Sequence, residues 1–495
     1  MKNTIFYDIY IVMKKAILLL TIILSLNISI FPGDDCFTII VGKDASKTGA
    51  VMLAHNEDDR GDFFVNVHKI PTATHPRTET INLTNGAVLR QAPKTFGFLW
   101  LQMPNAEFAD SYFNSRGLVI ASNSCPSREE EGELTNGGIG FKLRRILAER
   151  ASTALEAVIL AGKLVETYGY YSSGRTLCIA DPNEGWIMHI VKGKHWIAKR
   201  VPDNEVAVIA NRYTMNQLDL EGGTDFLTSS GIVEYAVAKG WVDQKAGEHF
   251  NFAKTFSKPA SYNSPANILR QWRGTNLLSE KRFKMDEPLP FSFEPKDKLE
   301  RGDLYKVLRD HYEGTEYDLS DNYKNGSPNN TDNRTICTDS TKYAFVAELR
   351  HELPLEIRHI AWLSFMRPDA NAFCPWYFSI QTPPPGYTRG DSASALANHF
   401  LDREEEHNPN YAFWTFAKLS QLVDQDYRER IRHMRKEWRN LENYINKNIK
   451  KREKEFIYLS KRDKIVARKL ITNYIHQLEL RRWFMASEWV REFKK

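Results

Sequence analysis

Short apolar runs with polar breaks fill the chain from residue 36, and their character changes near residue 411. Two β-branched runs, Cys36-Phe-Thr-Ile-Ile-Val-Gly42 and Ala50-Val-Met-Leu-Ala-His-Asn-Glu-Asp58, flank a polar stretch closed by Gly49. That pattern predicts an antiparallel hairpin, with Cys36 opening one strand and Asn56 to Asp58 ending its partner. Further strands are expected at 97–102, 117–123, 176–180, 185–191, 195–200, 206–210, 343–349 and 359–365. Phe141, Leu143, Ile146 and Leu147 predict a helix over 139–150, and Thr153 with Glu156 reads as a capping box opening a second. Residues 313–335 are polar and turn-rich, a long loop.

Beyond Pro409 the text is nearly free of Gly and Pro. Tyr427, Ile431, Met434, Trp438, Leu441 and Ile445 recur at spacings of four and three, one apolar stripe on a helix, and a second helical run covers 462–493. A helical extension over 406–495 is expected, packed on the body at 36–405 or joining two copies of the chain as a homo-oligomer. The basic run 447–454 keeps a membrane surface or a partner protein as the alternative.

The 495 residues are 42% hydrophobic and 12% aromatic, enough for a large core and against disorder. A net charge of +5 over this length does not point to a nucleic-acid partner. At the N-terminus Lys14 and Lys15 precede an apolar stretch over 16–31 that stops at Pro32-Gly33, the anatomy of an export signal. Residues 1–35 are therefore expected to be a signal and short pro-segment, leaving a periplasmic or secreted protein without stable membrane insertion. An uncleaved anchor is the alternative. Lipid attachment at Cys36 fits poorly, because Asp35 stands where a small residue belongs.

Five cysteines, Cys36, Cys125, Cys178, Cys337 and Cys374, show no metal-binding spacing. Cys178, in the run Thr176-Leu-Cys-Ile-Ala, reads as a buried core thiol, and the plain expectation for the others is structural pairing with at least one left free. Cys36 carries chemistry if it becomes the first residue. Its own α-amine, with an ordinary pKa near ~8, then serves as general base for its thiol. A carboxylate and oxyanion donors must come from elsewhere.

The segment Cys36-Phe-Thr-Ile-Ile-Val-Gly-Lys-Asp-Ala-Ser-Lys-Thr-Gly-Ala-Val-Met-Leu-Ala-His-Asn-Glu-Asp-Asp resembles the opening of the cysteine dipeptidases of the dipeptidase A and secernin type. The likeness continues in Ala109-Asp-Ser-Tyr-Phe-Asn-Ser-Arg-Gly-Leu-Val-Ile-Ala-Ser-Asn-Ser-Cys125, Ile179-Ala-Asp-Pro-Asn-Glu-Gly-Trp186 and Ala210-Asn-Arg-Tyr213. Phe345-Val-Ala-Glu-Leu-Arg350 and Ile360-Ala-Trp362 extend it, so that it covers most of 36–425. The resemblance, more distant to penicillin V acylases and bile-salt hydrolases, implies an α+β fold of N-terminal-nucleophile type. That fold is an αββα sandwich of two antiparallel sheets between helical layers. It implies hydrolysis of dipeptides or short peptides through a thioester, with no metal or organic cofactor. By position Cys36 matches the nucleophile, Asp58 the carboxylate and Asn211 an oxyanion donor. Asn123 falls at a further oxyanion or substrate group, Arg350 at a late active-site Arg, and His55 and Asn56 at the substrate side. His55 departs from the pattern, which has Arg there. An acylase on a non-peptide amide is the chemical alternative, and a silent membrane-tethered binding protein the non-enzymatic one.

Overall fold

The computed structural model describes residues 36–495 apart from 62, 84, 217–222, 244–249 and 400–407. The expected export signal and the expected boundary at 405/406 lie outside the described residues. The opening hairpin forms as its pattern dictates: strand β1 (Phe37–Val41) and strand β2 (Val51–Asp58) pair antiparallel, with Thr38 opposite His55 and Phe37 opposite Asn56.

Around this hairpin a six-stranded antiparallel sheet runs in the order Val206–Ile209, β1, β2, Thr341–Leu349, His359–Phe365, Cys374–Tyr377. An eight-stranded antiparallel sheet faces it, ordered Phe226–Thr228, Trp196–Val201, Gly185–Ile190, Arg175–Ala180, Val119–Ser124, Ser111–Asn114, Phe98–Gln102, Asn66–Ile70. Strand residues alternate between faces, so one set of β1 side chains meets the other sheet and the next set meets helices. Ile40 takes the first direction: a Cβ on Gly185 would stand 2.3 Å from its Cγ2, so the sheets close only over a bare backbone there. Phe37 takes the second and packs where helix Pro265–Leu278 presents Gly274.

Helices Lys142–Arg150 and Ala154–Tyr168 cover the outer face of the eight-stranded sheet. The first starts three residues later than the expected 139. Thr153 caps the second by accepting from Glu156 N, and the Glu156 carboxylate reaches back to accept from Ser152 N and Oγ. Helices Pro265–Leu278 and Arg301–Leu308 cover the other sheet, giving the αββα order of an N-terminal-nucleophile sandwich.

The C-terminal region forms three helices, Ala412–Gln425, Tyr427–Ser460 and Lys464–Glu492. The stripe from Tyr427 to Ile445 is buried in the same core as the six-stranded sheet. Glu479 and Arg482, both fully buried, pair with each other. Glu479 accepts from Trp376 and Tyr387, and Arg482 donates to the carbonyls of Leu363 and Ala372. Each charge of this buried pair is thereby compensated by its partner and by further hydrogen bonds, as burial of charge requires.

Candidate active site

β1 and β2 place the chemistry by period-two alternation. Thr38, His55 and Glu57 share the face turned toward the second sheet, and the Cys36 thiol joins them, donating to Glu57 Oε1 at 3.0 Å. His55 Nε2 lies 3.0 Å from Glu57 Oε2, and its Nδ1 lies 2.8 Å from Thr38 Oγ1. Thr38 in turn donates to Asn123 Oδ1 at 2.6 Å, bridging the two sheets. A hydroxyl has one proton to give. Thr38 spends it on Asn123, so His55 Nδ1 is the donor to Thr38, and a second proton sits between His55 Nε2 and Glu57. Cys36, Glu57, His55, Thr38 and Asn123 thus form one hydrogen-bonded file, all of it buried. Tyr343 adds a contact at 3.4 Å from its hydroxyl to Glu57 Oε2.

Burial pushes the Cys36 thiol well above its ordinary pKa, and the charges of Glu57 and then Asp58 add to the rise. A hydrogen bond from the Asp58 backbone acts the other way. The Asp58 side chain points to the opposite face, where Thr341 Oγ1 donates to it at 2.6 Å and Arg334 stands at 3.3 Å.

Asn211 lies just past strand Val206–Ile209. Its Nδ2 donates to Ser124 O, and its Oδ1 accepts from Arg270 Nη2, both at 3.0 Å. Arg270 Nη1 donates to Cys36 O at 3.2 Å, and Nη2 reaches Asn267 Oδ1 at 2.7 Å. The fully buried Arg270 therefore ties the backbone of Cys36 to Asn211.

Two of these residues escape the sequence reading. Glu57 sits inside the quoted Asn-Glu-Asp segment, where the family pattern singles out Asp58. Arg270 had a signal: it shares the buried face of helix Pro265–Leu278 with Asn267, Gly274 and Leu278. A charge on a buried stripe marks a partner in the interior.

Three expected site residues need correction. Asn56 projects from the helix-side face of β2, donating to Leu308 O and Ile336 O, so the alternation of the strand turns it away from Cys36. His55, expected at the substrate side, is instead fully buried between Thr38 and Glu57 and hydrogen-bonded to both. Arg350 follows strand Thr341–Leu349, where Tyr343 pairs with Glu57 and Leu349 with Val51. Seven residues beyond Tyr343 is roughly 23 Å along a strand, and there Arg350 pairs with Glu453 at 2.7 Å. Cysteine pairing is corrected too, since all five thiols are free and buried.

Among the described residues, two sets bring Cys, His and carboxylate atoms within 4.8 Å of one another: Cys36, His55, Glu57, and His311, Cys337, Asp369. In the first the atoms already bond each other. In the second, Arg367 and Tyr427 already engage Asp369.

The profile of Peptidase family C69 matches residues 113–440, about two thirds of the chain. The chain belongs to peptidase family C69. As a C69 member it is a cysteine-type peptidase. A probable dipeptidase of Latilactobacillus sakei is 26% identical over 408 residues, covering 79% of this chain and 81% of that protein. Probable dipeptidase B of Lactococcus lactis subsp. lactis (strain IL1403) is 25% identical over 415 residues, covering 79% and 82%. Dipeptidase A of Lactobacillus helveticus is 22% identical over 413 residues, covering 80% and 83%. Penicillin V acylase from Agrobacterium tumefaciens superposes with a TM-score of 0.32 at 14% identity, over 67% of this chain and 82% of that one. A mutant of the conjugated bile acid hydrolase from Clostridium perfringens gives 0.31 at 14% identity, over 72% and 98%. Sheet order and layering, rather than these superpositions, carry the fold of the C69 peptidase.

Proposed function

We propose that this C69 peptidase is an exported dipeptidase whose nucleophile is Cys36, freed at its α-amine by loss of residues 1–35. One observation carries the reading: the Cys36 thiol, at the head of β1, is held against the Glu57 carboxylate by a file of buried hydrogen bonds. The named dipeptidases, similar over most of the chain, supply the substrate class.

The electrostatics favour a processed enzyme. Burial and the charges of Glu57 and Asp58 hold the thiol protonated while residue 36 is joined through an amide. Once that amide becomes an amine, the same carboxylates favour an ammonium. The proton then moves from sulfur to nitrogen, and the thiolate attacks the scissile carbonyl carbon. The oxyanion is met by Asn211, whose Nδ2 exchanges its bond to Ser124 O for one to the oxyanion. Collapse breaks the C–N bond, the ammonium proton goes to the leaving amine, and a thioester remains. Water, its proton taken by the α-amine, attacks the thioester, and the thiol leaves with a proton.

The test is intact mass and N-terminal sequencing of the exported protein, wild type beside Cys36→Ala, with turnover of free and N-acetylated dipeptides. The expected result is a wild-type chain beginning Cys-Phe-Thr that cleaves the free dipeptides, and an inactive variant. A fully active chain that keeps Asp34-Asp35 would sink the mechanism.

A further inference from the structure

The opposite end of the sandwich from Cys36 holds a cavity of about 750 Å³. His359, on its wall, pairs with Leu349, six residues along the strand from Tyr343 and so roughly 20 Å from the thiol's end of the sheet. Four cations line it, Lys69, Lys94, Arg116 and Arg468, and among the described residues no carboxylate does. The nearest compensating charges stand outside the lining: Glu356 pairs with Arg468 at 3.1 Å, and Glu156 feels Arg116. Among the described residues, no carboxylate pairs with Lys69 or Lys94 in this way.

Two groups inside are poorly served. The Lys69 ammonium donates to Phe378 O, at 2.6 Å, and faces the like charge of Arg468. Burial, and then Arg468, pull its pKa down to about 8. The His359 ring is 3% exposed, and neither of its nitrogens has a hydrogen-bond partner among the described residues. A neutral imidazole must still donate from one nitrogen, and a buried donor without an acceptor is costly. Gly117 makes room for that ring, since a Cβ there would stand 2.5 Å from His359 Nε2. Apolar walls complete the cavity, Phe96 and Phe378 among them.

We propose that this cavity binds a phosphate monoester, its dianionic head held by Lys69 and Arg468 beside the His359 ring and its apolar body resting on Phe96 and Phe378. Like charges on one wall without a carboxylate among its described residues, beside a buried imidazole with no hydrogen-bond partner, define a site for an acceptor of high charge. The cavity exceeds what inorganic phosphate fills, so the ester's apolar group adds affinity. The site is separate from the thiol and takes a ligand that the peptidase reaction neither uses nor makes.

The test is calorimetric titration of the full chain with phenyl phosphate, inorganic phosphate and phenylacetate at constant ionic strength. Phenyl phosphate is expected to saturate one site, inorganic phosphate to bind at least tenfold more weakly, and phenylacetate weaker still. Lys69→Met and Arg468→Gln should each weaken phenyl phosphate at least tenfold, the exposed Lys94→Gln less, and Cys36→Ala not at all. Folding of each variant is checked by circular dichroism, and Arg468→Gln and Lys94→Gln carry the test if Lys69→Met does not fold. Three results overturn the proposal: no saturable phenyl phosphate binding, binding undiminished in folded Arg468→Gln and Lys94→Gln, or binding lost in Cys36→Ala.

Discussion

At Cys36 a buried thiol stands beside two carboxylates, and removing one of those charges should be visible in its titration. Glu57→Gln keeps the size and the acceptor oxygen but deletes the larger of the two charge effects that raise the thiol pKa. The pH midpoint of thiolate formation, read by ultraviolet absorbance or alkylation rate, is expected to fall, while turnover drops because the file is cut. An unmoved midpoint would show that Glu57 is neutral there. Arg270 offers a second measurement. Arg270→Lys keeps the charge but loses the fork that joins Cys36 O, Asn211 and Asn267. A loss of about 2 kcal/mol in urea unfolding is expected from the acceptors left bare, with a fall in kcat. Unchanged kcat would remove Arg270 from the site. The place of Cys36 at the head of β1 was legible in the sequence because a β-branched run and the turn that follows it are local signals. Glu57 was not, since choosing between neighbouring carboxylates needs the face of the strand. Arg350 misled for the same reason at longer range: a matching motif says nothing about which end of a strand it occupies.

Elements were easier to read than residues, because period and punctuation are written locally. The hairpin, the paired strands at 343–349 and 359–365, and the stripe from Tyr427 to Ile445 all follow from spacing alone. Helix Ala412–Gln425 is distinct from its successor only through Asp426, whose backbone (φ −150°, ψ 63°) is not helical, and neither Gly nor Pro announces that break. The eight-stranded sheet's opening strands at 66–70 and 111–114 went unread because each is four or five residues of mixed polarity. Two substitutions probe the packing. Gly185→Val forces a branched side chain onto Ile40, itself stiff, and should cost about 1–3 kcal/mol by urea midpoint. Trp438 packs edge-on against Trp489, centroids 4.7 Å apart, and donates to Ala370 O at 2.9 Å. Trp438→Ala should cost about 3–5 kcal/mol; a loss below ~1 kcal/mol would mean that the helical layer is only loosely attached.

For the whole molecule, buried titratable groups set the pH range of stability. Burial pushes Cys125 up to about 12 and raises Cys36, Cys178, Cys337 and Cys374 as well. Above the unfolded thiol value of about 8.5 the unfolded chain releases protons that the folded chain keeps, so stability falls as pH rises. Burial also pulls His189 and His359 down to about 3. Between about 6.5 and 3 the unfolded chain takes up protons that the folded chain refuses, so stability falls again on acidification. Urea midpoints measured from pH 4 to 10 should therefore peak between about 6.5 and 8.5; a midpoint still rising at pH 10 would contradict this. The same molecule also has an order of assembly. β2 finds one neighbour in β1 within twenty residues, but its other neighbour begins at Thr341. Contacts so distant along the chain close late. Tyr343, which reaches Glu57, stands 286 residues further along the chain, so the interior around Cys36 and Glu57 cannot close before that length has followed them. Closure of the site is thus timed by topology: Cys36 and Glu57 lie on the opening hairpin, and the cover over them waits for the most distant pairing that β2 makes.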